Sequence, residues 1–204
     1  MRRLFQITIS LSVLAIIWLL AVLPVARAAT LTVCTTGCDH TTIQAAVSAA
    51  IPGDIISIMA GTYIENVVVD KDLTLQGVNK NNVIVDGNGS GSVFTVNPSV
   101  TVTIADMTLT NGAADRGGGV NNQGILTLNN SVLINNNVVN HGGGVYNNGG
   151  IATINNSTIA DNSSLNGGGL MNDNGGIMTV NNSTVTSIIT AGRMEVASSM
   201  PAGA

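Results

Sequence analysis

The chain has 204 residues, of which 45% are hydrophobic and only 9% charged, with a formal net charge of −4. Beyond residue 28 the cations are Lys71, Lys80, Arg116 and Arg193 against eleven carboxylates, which excludes the clustered Lys and Arg that nucleic-acid binding needs. So little charge fits disorder, but Val, Ile and Leu at alternating positions argue for packed β-structure of about one domain.

Residues 1–28 read as a secretory signal peptide. Arg2 and Arg3 precede an apolar run from Leu4 to Leu23, Pro24 ends it, and Ala26-Arg27-Ala28 is a small-x-small cleavage pattern. The rival is an uncleaved membrane anchor, since the run is nearly long enough to span. The expected location is secreted or at the cell surface. Membrane contact is expected only through an uncleaved signal segment.

Next comes Cys34-Thr-Thr-Gly-Cys38, the only two cysteines. In an exported chain they fit a small local disulfide that staples the start of the domain. Free thiols, or a metal site with His40 as third ligand, are the alternatives; the latter is one ligand short of a structural zinc site.

Thr42 to Ala50 predicts a short helix. Ile43, Ala46, Val47 and Ala50 recur at helical spacing, Thr41 or Thr42 caps the start, and Pro52-Gly53 stops it. The period then changes to two. Ile56 and Ile58, Val67 and Val69, Leu73 and Leu75, and Val83 and Val85 predict short strands separated by turn residues such as Asp86-Gly87-Asn88-Gly89.

From residue 117 the chain repeats itself. Gly triplets begin at Gly117, Gly142 and Gly167, and Asn-Asn-Ser triplets at Asn129, Asn155 and Asn181. A repeat this short cannot bury its own apolar face, so it must stack on its neighbours as a solenoid. Aligned, the repeats give columns Leu126/Ala152/Met178, Leu128/Ile154/Val180, Leu133/Ile159/Val185 and Val120/Val145/Leu170. Val102, Ile104 and Leu109 fit a degenerate earlier turn. About three strands per turn and roughly six turns make a rod near 30 Å long, at the usual strand spacing.

Eighteen Asn lie between Asn121 and Asn182. Their recurrence argues for turns and for amide ladders between coils, with Asn130, Asn156 and Asn182 as the expected ladder and Ser131, Ser157 and Ser183 beside it. After residue 187 the pattern breaks. Residues 188–204 form an atypical tail, either folding back as a poor cap or belonging to a longer repeat protein. The expected division is therefore signal peptide 1–28, parallel β-helix domain 29–187 and tail 188–204.

Residues 31–187 resemble the pectin-lyase-like superfamily of right-handed parallel β-helices. TTIQAAVSAAIPGDIISIMAGTYIENVVV resembles the N-terminal cap and first coils of that superfamily, including pectinesterases. The Gly-rich coils are similar to those of secreted and surface bacterial proteins, including adhesin-like families. The resemblance implies an all-β fold, a right-handed parallel β-helix with a short N-terminal capping α-helix. It carries over no catalytic motif: pectinesterase Gln-Asp and Asp strand motifs and the later Arg have no match here.

The chemistry-bearing residues are few, and no catalytic, cofactor-binding or metal-ligating residue is assigned. Asp106, Asp115 and Arg116 form a conceivable lyase-like group if stacking unites them; the alternative is a solvated Asp115–Arg116 turn pair. Asp70, Asp72, Asp86, Asp161 and Asp173 are the carboxylates available for paired acid/base work. Asp70-Lys71-Asp72 reads rather as a solvated turn. The Asp86 turn offers oxygens to calcium without the full spacing of a known loop. His40 and His141 lack a defensible triad. Asn88 and Asn156 open Asn-x-Ser/Thr sequons, which matter only in a eukaryotic secretory host. The expectation is a non-catalytic exported repeat protein with a structural or adhesive role and no cofactor. A carbohydrate-active or carbohydrate-binding protein is the alternative. The expected partner is a surface polysaccharide or another extracellular molecule.

Overall fold

The computed structural model describes residues 27–189. The expected signal segment and tail lie almost wholly outside these residues.

The chain winds through three parallel sheets, one strand of each per coil. The first sheet stacks β1 (Thr30–Val33), β2 (Ile55–Ile58), β5 (Leu73–Gly77), β8 (Thr101–Ala105), β11 (Ile125–Asn129), β14 (Ile151–Asn155) and β17 (Ile177–Asn181). The second stacks β3 (Gly61–Ile64), β6 (Val83–Asp86), β9 (Thr108–Thr110), β12 (Val132–Ile134), β15 (Thr158–Ser164) and β18 (Thr184–Ile189). The third stacks β4 (Val67–Val69), β7 (Phe94–Val96), β10 (Val120–Asn122), β13 (Val145–Asn148) and β16 (Leu170–Asp173). The result is a β-solenoid of about six turns that matches the pectin-lyase-like right-handed β-helix fold.

The alternating residues fill the axis. Leu126 pairs with Ala152 and Leu128 with Ile154, and all four are fully buried. Leu133 lies over Ile159, and Val120 over Val145, in the same way. Val102, Ile104 and Leu109 continue these columns one coil earlier. Among the described residues the coil of β17 and β18 has a neighbour on one side only, and Val180 and Val185 are 39% and 41% exposed although they occupy inward positions.

One short helix, α1 (Ile43–Ala49), closes the first coil. Ile43, Ala46 and Val47 are its buried face. Thr42 caps it, accepting from the Ala45 N–H at 3.2 Å. A second cap comes from the next coil: the two Glu65 carboxylate oxygens accept from the Ile43 and Gln44 N–H groups at 2.8 and 2.9 Å. The Glu of Gly61-Thr62-Tyr63-Ile64-Glu65 thus neutralises the helix end that would otherwise hold unpaired donors. Tyr63 is buried beside it, its hydroxyl donating to the Met59 carbonyl at 2.8 Å. Ahead of the helix, Cys34 and Cys38 are joined as a disulfide, which settles the three readings left open by spacing.

The polar stacking differs from expectation in one respect. Asn130, Asn156 and Asn182 have φ of 44°, 52° and 47° and are exposed. They turn the sharp corner from the first sheet to the second, a left-handed position that Asn tolerates. Asn182 does donate to Asn156 at 2.6 Å, but Asn130 bonds Asp106 and Lys80 instead. The continuous outer ladder is one residue earlier, half-buried to exposed: Asn155 donates to Asn129, and Asn181 to Asn155, each at 2.9 Å. Two further ladders run through the core, the first ending on the exposed Asn172. Asn122 donates to Asn147 at 2.6 Å and Asn147 to Asn172 at 2.7 Å. Asn136 donates to Asn162 at 2.9 Å. The serine column stands as expected, with the Ser157 and Ser183 hydroxyls accepting from the Ser131 and Ser157 N–H groups at 3.2 and 3.0 Å.

Candidate functional site

The loops between the second and third sheets carry the densest group of ionisable and aromatic side chains. They precede the Gly triplets, and the coil spacing stacks Arg116, His141 and Asn166 in one row through parallel bridges. The first Gly of each triplet then folds the chain back over the third sheet. Gly117, Gly142 and Gly167 have φ of 63°, 61° and 62°, and a Cβ on Gly142 would sit 2.9 Å from the Tyr146 Cα. No other residue fits both the angle and the approach. The loop row therefore lies against an outer column of Asn121, Tyr146 and Met171.

Tyr146 is the hub. It points outward from β13, yet is only 1% exposed because the loops cover it. The His141 ring stacks on it at 5.9 Å, and the Arg116 guanidinium sits 5.6 Å from the ring centroid. Its hydroxyl donates to Asp173 at 3.1 Å and accepts from Arg116 at 3.4 Å. Burial, then the hydrogen bond and charge of Asp173, push the phenol above its usual value. Asp173 is held below the usual carboxylate range, first by the Asn174 N–H and then by the tyrosine hydroxyl. Arg116 also pairs with Asp115 at 3.3 Å, and Asp115 accepts from the Asn140 amide. Beside this group lies an open depression of ≈ 270 Å³, lined by Ser92, Arg116, Asn121, Gln123, Tyr146 and Asn148 among others. Asn121 Oδ1 and, in the loop row, His141 Nδ1 are buried without a hydrogen-bond partner among the described residues.

Chemically, the group is a largely self-satisfied network. Arg116 spends its Nε–H on Asp115 and an Nη1–H on the Tyr146 hydroxyl, and its guanidinium faces the Tyr146 ring. Tyr146 stays a neutral phenol. The depression is lined by the Arg116 guanidinium and the polar side chains of Ser92, Gln123 and Asn148, a mixed donor and acceptor set.

The other sequence candidates are scattered. Asp106 sits at a corner between the first and second sheets with Gln76, at 2.5 Å, and Asn130. Asp115 and Arg116 lie in the following loop, so the conceivable trio is not assembled. Asp70 and Lys71 pair at 3.7 Å, and Lys71 also reaches the Ala50 carbonyl beyond the helix. Asp72 has a structural role, accepting from the Thr101 N–H at 2.7 Å. Asp86 accepts from the Asn88 N–H at 2.7 Å and from the Asn111 amide at 2.9 Å, beside a depression of ≈ 240 Å³ lined mainly by asparagines and glycines. Asp161 occupies a left-handed corner with φ of 52°. His40 bridges to Val33 in the disulfide loop. Among the described residues no group of three or more His, Cys, Asp or Glu could hold a metal ion.

Sequence reading singled out Arg116, His141 and Asp173 but missed Tyr146. The signal was present: counting back one residue from each Gly triplet aligns Arg116, His141 and Asn166, and counting on four places Tyr146 beneath them. Neither protein-family models nor curated proteins give a match to this chain.

Proposed function

We propose that the chain is a non-catalytic exported β-helix module with a structural or adhesive role at the cell surface or outside the cell. The observation that carries this reading is the use of the polar side chains. Asn, Ser and Asp bond one another and the backbone from coil to coil, which makes a rod with regular outer faces rather than a cleft of converging acid and base. The N-terminal apolar segment with its Ala26-Arg27-Ala28 pattern supports export. Expression of the full chain with fractionation into cytoplasmic, surface and medium pools tests it. The expected result is mature chain in the surface or medium pools. Retention of the unprocessed chain in the cytoplasm would overturn it.

A second reading, a carbohydrate-binding or carbohydrate-active protein, is favoured by the Arg116–Tyr146–Asp173 group beside the open depression. Lyase chemistry needs a placed base and charge stabilisation of the developing anion. Incubating the purified chain with polygalacturonate and with neutral polysaccharides, with and without calcium, separates the readings. Ultraviolet detection of unsaturated uronides and a reducing-sugar assay should both stay at background. Turnover abolished by Arg116→Ala would replace the first reading with the second.

A further inference from the structure

The outer face of the first sheet is unlike the other two. Its outward positions form three straight columns. The central one is Thr74–Thr103–Thr127–Thr153–Thr179, five threonines in direct register on successive coils. On one side runs Thr101–Ile125–Ile151–Ile177, whose isoleucines are 42%, 41% and 59% exposed. On the other runs Gln76–Ala105–Asn129–Asn155–Asn181. No outward position in these columns carries a charge, although the chain has 18 charged residues.

Three physical consequences follow. The threonine hydroxyls and methyls repeat at the strand spacing of about 4.8 Å over roughly 19 Å, with neighbouring columns about 6.6 Å away. The spacing is rigid: the Asn129–Asn155–Asn181 amides bond across the coils, a side-chain ladder of the kind that keeps sheets flat. And the hydroxyls are unspent. Thr108 on the second sheet gives its hydroxyl to the Lys80 carbonyl, and Thr32 gives its own to Asp39. Among the described residues no protein partner engages the hydroxyls of the five central threonines, which are half-buried to exposed. The second sheet has no such array, because Asp86 interrupts its face and the β15–β18 pairing shifts register. The third is covered by the Arg116 and His141 loops.

We infer that this face binds ice. Water held on evenly spaced hydroxyls, with methyl and isoleucine groups between them, is ordered at a repeat close to that of oxygens in the ice lattice. A charged side chain would keep its own hydration shell and break that order; the columns themselves are neutral, and the nearest carboxylates, Asp72 and Asp106, sit at their edge, bonded to Thr101 and Gln76. A crystalline polysaccharide is also periodic and neutral, but sugar rings favour aromatic platforms, and these columns contain none. The inference deepens the adhesive reading, which it takes as its premise, by naming the partner.

The test is partition of the purified, fluorescently labelled chain into slowly growing ice, with binding to microcrystalline cellulose and solution mass measured alongside. The wild-type chain should be taken up by ice and should remain monomeric. Thr127→Lys and Thr153→Lys should each lose most of that uptake, while Thr95→Lys on the third sheet keeps it. Circular dichroism and melting point identify any variant that fails to fold, and Thr153→Val, which keeps shape and loses only the hydroxyl, gives the same loss without added charge. Exclusion of the wild-type chain from ice would overturn the inference. So would equal loss in Thr95→Lys, preferential binding to cellulose, or a dimer that Thr153→Lys dissociates. Exclusion from ice with the chain still exported to the cell surface would sink this inference alone; cytoplasmic retention with ice uptake intact would sink the export reading alone.

Discussion

Asn147 is fully buried, donates to the Asn172 amide oxygen at 2.7 Å and to the Gly150 carbonyl at 2.8 Å, and accepts from Asn122. Removing such a group strands buried partners, at a cost of about 1–3 kcal/mol. Asn147→Ala should therefore lower stability in denaturant melts by that amount. Asn156→Gly should be nearly neutral, because Asn156 is exposed and glycine keeps its left-handed corner. Triplet recurrence made Asn130, Asn156 and Asn182 visible in the sequence, but recurrence is blind to which neighbour faces the axis. Asn147 is inward only because Val145 two residues earlier is, and an Asn in an apolar column contradicts the hydrophobic pattern that reading depends on. Asp39 gives a test by pH. Its carboxylate accepts from the Thr32 N–H, first, and the Thr32 hydroxyl, which hold it below the usual carboxylate range. A depressed folded-state value means the stabilisation is present above the unfolded value, near about 3.9, and is lost as pH falls through the folded one. The stability difference between wild type and Asp39→Asn should stay constant from neutral pH down to about pH 5 and shrink below it.

At the scale of elements, α1 shows what local sequence can and cannot tell. Its position and apolar face follow from spacing alone, which leaves the cap between Thr41 and Thr42; the structure gives Thr42. The Glu65 cap does not follow from spacing, because it comes from 22 residues away along the chain and exists only once the first coil has closed. Glu65→Ala should unpair two N–H groups at the helix start and destabilise the domain by about 0.5–2 kcal/mol, the range of lost N-terminal caps. Glu65→Gln should lose less, since an amide oxygen still accepts. Melts of the two variants decide it; an Ala variant as stable as wild type would remove the cap from the account. The Gly triplets were legible as places where a side chain would crowd the next coil. A Cβ on Gly144 would lie 2.5 Å from the Gly169 carbonyl oxygen and 2.8 Å from Ile159 Cγ2. Gly144→Ala must push two coils apart, and overpacking of this kind costs about 1–3 kcal/mol. Tyr146 escaped notice because its partners, Arg116 and Asp173, are 30 and 27 residues away on neighbouring coils.

At the scale of the whole molecule, a solenoid's stability is a sum over coils and their nearest-neighbour contacts. Among the described residues the interior coils have neighbours on both sides and the coil of Val180 on one, so equal deletions should have unequal effects. Leu128→Ala empties a fully buried site between two coils and should cost about 2–5 kcal/mol; Val180→Ala, on a side chain already 39% exposed, should cost far less. The architecture was legible because repeat length fixes coil length, and coil length fixes which residues meet. Activity was not, because the contacts of Tyr146 with Arg116 and Asp173 emerge only between coils. The register itself is the central claim, and engineered cross-linking tests it most directly. Thr127 and Thr153 are direct partners on adjacent coils, while Thr127 and Thr179 are two coils apart, about 9.6 Å at the usual strand spacing. A disulfide needs Cα atoms roughly 4.4–6.8 Å apart. On mild oxidation, the Thr127→Cys/Thr153→Cys chain should cross-link within itself, and the Thr127→Cys/Thr179→Cys chain should keep both engineered thiols free. Cross-linking of the second pair but not the first would contradict the one-coil register and the fold built on it.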